Sequence, residues 1–596
     1  MDKELKDILL CVDKPARYCG GEFNTPVIKE NASLRFLMCF PDVYEVAHSN
    51  LGIKILYYML NNRPDVACES CYTPWTDMIA ALKEHNMPLF SQETHSPVCS
   101  FDAIGFSLQY EMSYTNVLCM LDLGGIPLLS EERGEGTPIV VAGGPCTVNP
   151  MPLAKSIDVF SIGDGEEAIN NLADTLILCK KEKKTRAETL CEIAKIDGMF
   201  VPSVPQTKVR RAVIDSLDGA FYPRKVQIPN IEAVFNRAVL EIFRGCTRGC
   251  RFCQAGMIYR PVRERTVETL AKYTRELIDN NGFDELTLSS LSTCDYPQLR
   301  QLLREIKPLC DERHVNISLP STRVDSFEAE YVASARLSSL TFAPEAGTQR
   351  LRDVINKNVT EEDVLTSCRY AFEKGYHAVK LYFMIGLPTE TDEDLLGIAE
   401  LVKKIKACYK ANAVSKKALS LVVSTSTFVP KPFTPFQWEA QISLDEIERR
   451  QGLLKTVLRP LGVKYSYHDG KTSRLETTLA RGDERMNDVL LAAYTSGCIF
   501  DSWTDLFDYD KWMAAFEKCG VDAEDYCGAQ SLEKTLPWER VETGISRAFL
   551  LCEREKAYKG ELTHDCRKGC NGCGIAAEYP SAFKENCTRC VKNADL

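Results

Sequence analysis

Ala238-Val-Leu-Glu-Ile-Phe243-Arg244-Gly245-Cys246-Thr-Arg-Gly249-Cys250-Arg251-Phe252-Cys253 is the stretch from which this chain is best read. An apolar run, 238–243, has the look of a buried strand. It leads directly into three cysteines spaced C-x3-C-x2-C. Three thiolates so close together can wrap one face of an iron–sulfur cubane and leave its fourth iron without a protein ligand. Gly245 and Gly249 let the loop curl, and Phe252 is placed to pack against the cluster or a nucleotide beside it. A zinc knuckle would need a fourth ligand, and none stands nearby in the sequence.

Downstream, strand candidates fall at 285–288, 316–319, 339–342, 378–384 and 419–424, with helical stretches at 266–280, 297–307, 327–336, 361–374 and 392–406. A repeated strand–helix unit of this length predicts a partial barrel of parallel strands with its chemistry at the carboxyl ends. Small or polar residues stand at those ends: 289–295, Pro320-Ser321-Thr322-Arg323, Pro344-Glu345-Ala346-Gly347 and Ile385-Gly386-Leu387-Pro388.

The cysteine spacing with its aromatic, set after a strand, resembles the radical S-adenosylmethionine (AdoMet, SAM) superfamily. The resemblance implies a 4Fe–4S cluster on Cys246, Cys250 and Cys253, with AdoMet chelating the open iron. One electron would then cleave a carbon–sulfur bond and release a 5′-deoxyadenosyl radical; a flavodoxin- or ferredoxin-type protein would donate that electron. It further implies that Phe252 packs at the cluster, that Ser321 and Arg323 reach the AdoMet carboxylate or ribose, that Glu345 lines the substrate side and that Gly386 and Pro388 run along adenine. Residues 290–293 stand where a Gly-Gly-Glu motif usually receives the methionine amino group, and they lack it. No catalytic side chain is singled out.

The N-terminal third alternates short apolar strands (34–40, 66–69, 103–107, 139–142, 159–162) with amphipathic helices, one presenting Leu51, Ile55, Leu56, Met59 and Leu60 on one face. That pattern predicts a doubly wound parallel sheet, whose ligands sit beyond the carboxyl ends of its strands. Two strands end in glycines, at Gly143-Gly144 and at Gly163-Asp-Gly165. The stretch resembles the cobalamin-binding domain that precedes many radical SAM domains, which implies cofactor contacts at Ser107, Gly143 and Gly144. The cobalt-ligating Asp-x-His-x-x-Gly pattern is replaced by Glu45-Val-Ala-His48-Ser-Asn-Leu-Gly52, with the histidine one position too early. His48 is therefore expected to be structural, and cobalamin held without a protein ligand stays open.

The chain has 596 residues, too many for one core. The expected fold class is α/β, divided into 1–175, a doubly wound flavodoxin- or Rossmann-like cobalamin-type domain; 176–235, a linker or small subdomain; 236–440, the partial (β/α) barrel; 441–556, a mainly helical region; and 557–596, a cysteine-rich tail. Phe428-Val-Pro-Lys-Pro-Phe-Thr-Pro-Phe436 resembles the exit segment of methylthiotransferase-like enzymes. A net charge of −11 argues against loose, charge-driven nucleic-acid binding. No apolar run reaches the roughly 18 residues of a membrane span, and no secretory signal is visible, so a cytoplasmic protein without membrane attachment is expected. There, 26 cysteines are thiols and metal ligands rather than disulfides. With only seven histidines, metal chemistry would be sulfur chemistry. In the tail, Cys570, Cys573, Cys587 and Cys590 have the paired spacing of a zinc ribbon, whereas Cys566, Cys570 and Cys573 repeat C-x3-C-x2-C. Zinc and a second iron–sulfur cluster are both open.

Taken whole, the chain resembles bacterial radical SAM proteins of similar length and unassigned activity that join these same parts and end in Asp-Cys-Arg-x-Gly-x-Cys. Here one spacer before Cys570 is missing, and Ala576 stands where a further cysteine is usual. The function implied is AdoMet cleavage for methylation, methylthiolation-like sulfur insertion or rearrangement of an unknown substrate. Modification of an RNA or ribosomal component, suggested by the basic tail, and a non-catalytic redox sensor are the alternatives.

Overall fold

Five short apolar runs in the first third form the heart of a six-stranded sheet in the computed structural model, which describes residues 3–320 and 340–583. Strands β1 (Leu34–Phe40), β2 (Val66–Tyr72), β3 (Ala103–Ser107), β4 (Ile139–Gly143), β5 (Val159–Ser161) and β6 (Met199–Phe200) lie in the order β2-β1-β3-β4-β5-β6. All neighbours are parallel except β5 and β6. Every residue of β2 is buried, Glu69 and Ser70 included, as expected of a strand covered on both faces. The helix Leu51–Asn61 starts where Asn50 accepts the Ile53 N–H at 3.0 Å. Because β1 has β2 on one side and β3 on the other, the winding reverses there and opens a crevice beyond the strand ends.

The two sheet faces bury different partners. Leu37, Ile104, Phe106 and Val140 share a core with Leu479, Leu490 and Trp512 from the C-terminal helices. Phe36, Met38 and Val141, one residue out of phase, share another with Leu240, Leu286 and Leu288. Each face of the N-terminal sheet thus belongs to a core that continues into another part of the chain. Full burial of each such side chain contributes about 1.5–3 kcal/mol.

The second half of the α/β pattern supplies two parallel sheets. One has β7 (Ala238–Glu241), β8 (Glu285–Ser289) and β9 (Asn316–Ser318) in the order β9-β8-β7. The other runs β10 (Leu340–Glu345), β11 (Ala378–Ile385), β12 (Ser420–Thr427), β13 (Lys464–Tyr467). Helices Val267–Asn281, Leu299–Glu312, Glu361–Glu373, Asp392–Asn412 and Leu444–Leu458 intervene. The strand expected over 238–243 is interrupted: β7 ends at Glu241, and Phe243–Arg244 pairs antiparallel with Arg263–Glu264 as the chain turns into the cysteine loop. The remainder is mainly helical, with Gly470–Arg481, Arg485–Thr495, Tyr509–Cys519 and Arg547–Lys559. Among the described residues, no helix is long and apolar enough to cross a membrane. The helix expected at 327–336, together with Ser321, Arg323, Cys587 and Cys590, lies outside the described residues.

Candidate functional site

The cysteine loop is shaped by its glycines. Gly245 has φ +94°, and a Cβ there would stand 2.7 Å from the Tyr259 carbonyl oxygen and 2.8 Å from that of Pro261. Only glycine meets both conditions. Gly249, at φ +110°, offers its carbonyl to Asn356 Nδ2 at 3.0 Å. Cys250 is buried, Cys246 and Cys253 are half-buried, and the Gly256 N–H donates to Cys253 Sγ at 3.3 Å. Burial pushes the Cys253 thiol up to about 12, reinforced by Cys250 and Cys246, so the three sulfurs are near enough to act on one another. Yet among the described residues no three His, Cys, Asp or Glu side chains converge on the position of a single metal ion. The cysteine spacing on one short loop is that of a cubane ligand set, in which each thiolate takes its own iron.

Phe252 packs in a small core with Ala346, Leu351, Leu387 and Phe428, which brings the ends of β10 and β11 to the loop. Glu345 holds φ +67°, a left-handed conformation uncommon for a side chain of this size. Its carboxylate accepts from Lys357 Nζ at 3.0 Å. Gly386, at φ +81°, would drive a Cβ to 2.9 Å from Ile442, and its N–H donates to Glu390 at 2.6 Å. The half-buried Pro388 follows. Arg251 was not singled out from the sequence, where nothing distinguishes an arginine between two cysteines. It is fully buried. Its guanidinium pairs with Glu553 at 3.2 Å and donates to the carbonyls of Val354 at 2.9 Å and Glu561 at 2.7 Å.

A cavity of about 400 Å³ opens at the carboxyl edge of the N-terminal sheet, where β1, β3 and β4 end. Ser107, Gly143 and Gly144 line it, as do Phe36 and Met38. Its far wall is Arg244, Gly245, Tyr259, Ser289 and Ser290, so the same space reaches the residue before Cys246. The two neighbouring glycines differ. Gly144, at φ +104°, would drive a Cβ to 2.5 Å from the Leu108 carbonyl, whereas a Cβ on Gly143 meets nothing closer than Ser161 at 3.9 Å. His48 is not part of the lining. It is buried, with Nε2 3.3 Å from the Tyr72 hydroxyl and its ring 4.1 Å from that of Tyr44. Burial lowers its pKa to about 3.

Ionic contacts fasten the sheet to the cluster strand. Arg244 pairs with Asp164 at 2.9 Å, Glu166 at 2.7 Å and Glu241 at 3.0 Å, and Arg263 pairs with Asp164. Burial works to raise the Asp164 pKa, but Arg263, Arg244 and Arg211 hold it well below the usual carboxylate range. The Gly-Asp-Gly-Glu-Glu run at 163–167 is the sequence signal for this junction, read there for its glycines and not for its carboxylates.

The described part of the tail lies against the cysteine loop. The Cys566 N–H donates to the Thr247 carbonyl at 3.1 Å, and Thr247 Oγ1 donates to Asp565 at 3.0 Å. Arg248 pairs with Asp565 at 3.3 Å, and Arg567 with Asp295 at 3.0 Å. Sequence spacing gave no hint that residues so far apart in the chain share one surface.

Residues 52–202 match the family model described as radical SAM proteins, N-terminal, and residues 240–402 match that of the radical SAM superfamily. An uncharacterized protein of Methanocaldococcus jannaschii is 29% identical over 446 residues, which is 74% of this chain and 92% of that one. The tRNA-2-methylthio-N(6)-dimethylallyladenosine synthase of Clostridioides difficile is 24% identical over 270 residues, 44% of this chain and 53% of the synthase. Among solved structures, the radical S-adenosylmethionine methyltransferase TsrM of Kitasatospora setae, with cobalamin and a 4Fe–4S cluster bound, is 15% identical with a TM-score of 0.45, over 68% of this chain and 77% of that one.

Proposed function

The chain belongs to the radical SAM superfamily, and from that premise we propose that it is a cobalamin-dependent enzyme that methylates an unactivated carbon. The observation that carries the reading is the continuous cavity, which runs from the glycine edge at Gly143 to Gly245 at the foot of the cluster loop. Two cofactors held at its two ends would face one another across the substrate. The residues fit both groups. The loop offers three neighbouring sulfurs and a cradle only glycine can make. The sheet edge offers Gly143, whose glycine identity is required neither by its φ nor by protein packing.

When bound, the cluster supplies the electron that breaks an AdoMet carbon–sulfur bond, and cobalamin supplies the methyl carrier. The protein does the rest. Cys246, Cys250 and Cys253 hold the cluster, and Phe252 closes an apolar wall on that side. Lys357 keeps Glu345 in place at the end of β10. Arg244, with Asp164 and Glu166, locks the two halves of the cavity together. His48, buried away from the cavity, does not offer its imidazole to cobalt, so the corrin would be held by shape and backbone contacts.

Anaerobically reconstituted protein, reduced with dithionite and given AdoMet, is expected to release 5′-deoxyadenosine or a demethylated AdoMet product. It should also retain stoichiometric corrinoid through gel filtration. An intact cluster with no AdoMet turnover would overturn the enzyme reading, and turnover without corrinoid retention would overturn the cobalamin reading alone. Cys250→Ala is expected to abolish AdoMet turnover in a protein that still folds.

A second reading, an RNA or ribosomal substrate, is supported by the tRNA-modifying relative. Of the basic tail residues behind it, Arg567 is already paired with Asp295 and Asp565, Lys568 is exposed, and Lys584, Arg589 and Lys592 lie outside the described residues. Defined RNA co-purifying at low salt would support this reading, and its absence would count against it.

A further inference from the structure

The second barrel sheet has one face that the protein leaves uncovered. Its outer face is closed: Leu381, Phe383 and Val423 share a core with Leu395 and Ile398 of the helix Asp392–Asn412. The residues between them point the other way, and along β11 and β12 each of these is half-buried or exposed. Tyr382, in the middle of an inner strand, is 38% exposed. A parallel sheet covered on both sides would be buried at every position, so this face borders open space.

Register sorts the open face by chemistry. At the end nearest the cysteine loop, Met384 stands beside Ser426 and packs in the same small core as Phe252. In the middle, Tyr382, Ser424 and Ser466 lie side by side. At the far end, Lys380 and Lys464 flank Val422. Among the described residues, neither lysine makes an ion pair, and the three serine hydroxyls make no hydrogen bond. Serine has no packing reason to sit in mid-sheet, where branched and aromatic side chains are favoured. A lysine on an edge strand such as β13 discourages wrong pairing, but β11 lies between β10 and β12 and has no edge to protect. Lys380 Nζ lies over the Tyr382 ring, 4.6 Å from its centre.

The spacing measures the missing occupant. Lys380 and Lys464 are two strands apart, about 10 Å at the backbone, so their long side chains can close on one anion. From Lys380 to Met384 the strand rises about 13 Å. Two ammonium groups without a guanidinium suit a phosphate held by point charges. Serine hydroxyls, which both donate and accept, suit a sugar. Met384 and Phe252 offer a planar ring the sulfur and aromatic contacts it favours. Phosphate, sugar and ring in that order make a nucleotide. Two free lysines on a chain of net charge −11 are too few for a nucleic-acid strand, whose binding needs a basic stripe.

We propose that the open face of β11, β12 and β13 binds the substrate, a mononucleotide whose phosphate is held by Lys380 and Lys464 and whose base lies at the cluster end. That the nucleotide is a substrate rests on the AdoMet-enzyme reading; its binding does not.

The reconstituted full chain is treated with acetic anhydride, and the acetylation rate of each lysine is read by mass spectrometry. UMP or GMP is expected to slow Lys380 and Lys464 severalfold, while uridine or guanosine at the same concentration slows neither. Lys403, exposed on the helix that covers the opposite face, should react at an unchanged rate throughout. Lys380→Met and Lys464→Met should each weaken binding of the protecting nucleotide about tenfold by equilibrium dialysis, the loss of one charge-assisted contact, with iron content unchanged. Protection by neither nucleotide, equal protection by the nucleosides, or protection by an RNA oligomer alone would each overturn the proposal. None of these readouts needs AdoMet turnover, so failure of nucleotide binding and failure of the AdoMet reaction are told apart.

Discussion

Gly143 and Gly144 adjoin, but only one of them is glycine for the protein's own sake. Gly144 needs its left-handed φ and has a carbonyl in the way of any side chain; Gly143 has neither constraint, and its missing Cβ leaves room in the cavity. Gly143→Val is therefore expected to fold with an unchanged unfolding midpoint and full iron content, yet lose at least tenfold in corrinoid affinity, read by absorbance titration. Equal affinity would mean that the glycine edge does not touch the cofactor. His48 yields a prediction about pH. Its folded pKa of about 3 lies below its ordinary 6.5 because burial penalises the charged ring. Above pH 6.5 both states are neutral and the full contribution to stability is present. As pH falls from 6.5 towards 3, the unfolded chain takes up a proton that the folded chain refuses, and stability is lost. His48→Phe should make denaturation free energy less steep across that window, by up to one proton in slope, and leave it unaltered above pH 7.

At the scale of elements, Arg251 is the pin between the cluster loop and the helix Arg547–Lys559. It is wholly buried against Glu553, whose own carboxylate is held below its usual range: burial opposes this, while Lys556, Thr563 and Arg251 outweigh it. Arg251→Met leaves Glu553 to Lys556 and Thr563 but takes the donors from the buried Val354 and Glu561 carbonyls, and should cost about 1–3 kcal/mol, measured by urea denaturation. Elements of this kind show how far sequence carries. The loop, the barrel strands and the glycine strand ends were legible because each leaves a local mark: fixed cysteine spacing, an apolar run, or a small residue where a ligand or a turn needs room. β13 was not, because Lys464-Tyr-Ser-Tyr467 is a half-exposed edge strand with no apolar run to betray it. The contacts of Arg251, Asp164 and the tail were illegible for another reason. They join residues distant in sequence through single buried charges, and a charge in a sequence does not announce its partner.

Across the whole molecule, the parts that sequence suggests as separate domains do not keep separate cores. The core on one face of the N-terminal sheet continues into Leu479, Leu490 and Trp512 of the C-terminal helices, and that on the other into Leu240, Leu286 and Leu288 of the barrel. A doubly wound sheet stripped of those covers would expose apolar side chains on both faces. Residues 1–235 expressed alone are therefore expected to lack a cooperative unfolding transition and to bind a hydrophobic dye such as ANS. In the full chain, Trp512→Ala should lower stability by about 3–5 kcal/mol while sheet and helices still melt together, because the cavity it leaves belongs to both. Two separate transitions in the full chain, or cooperative unfolding of the fragment, would contradict the shared core. The same sharing bears on the chemistry. The cavity has one wall on the sheet and one on the barrel, so its width is fixed only when both layers are clamped. The Arg244 contacts to Asp164 and Glu166 cross that space, and Arg244→Met should accordingly weaken corrinoid retention and AdoMet turnover together while sparing cluster iron. Loss of one function without the other would show that the two walls act independently.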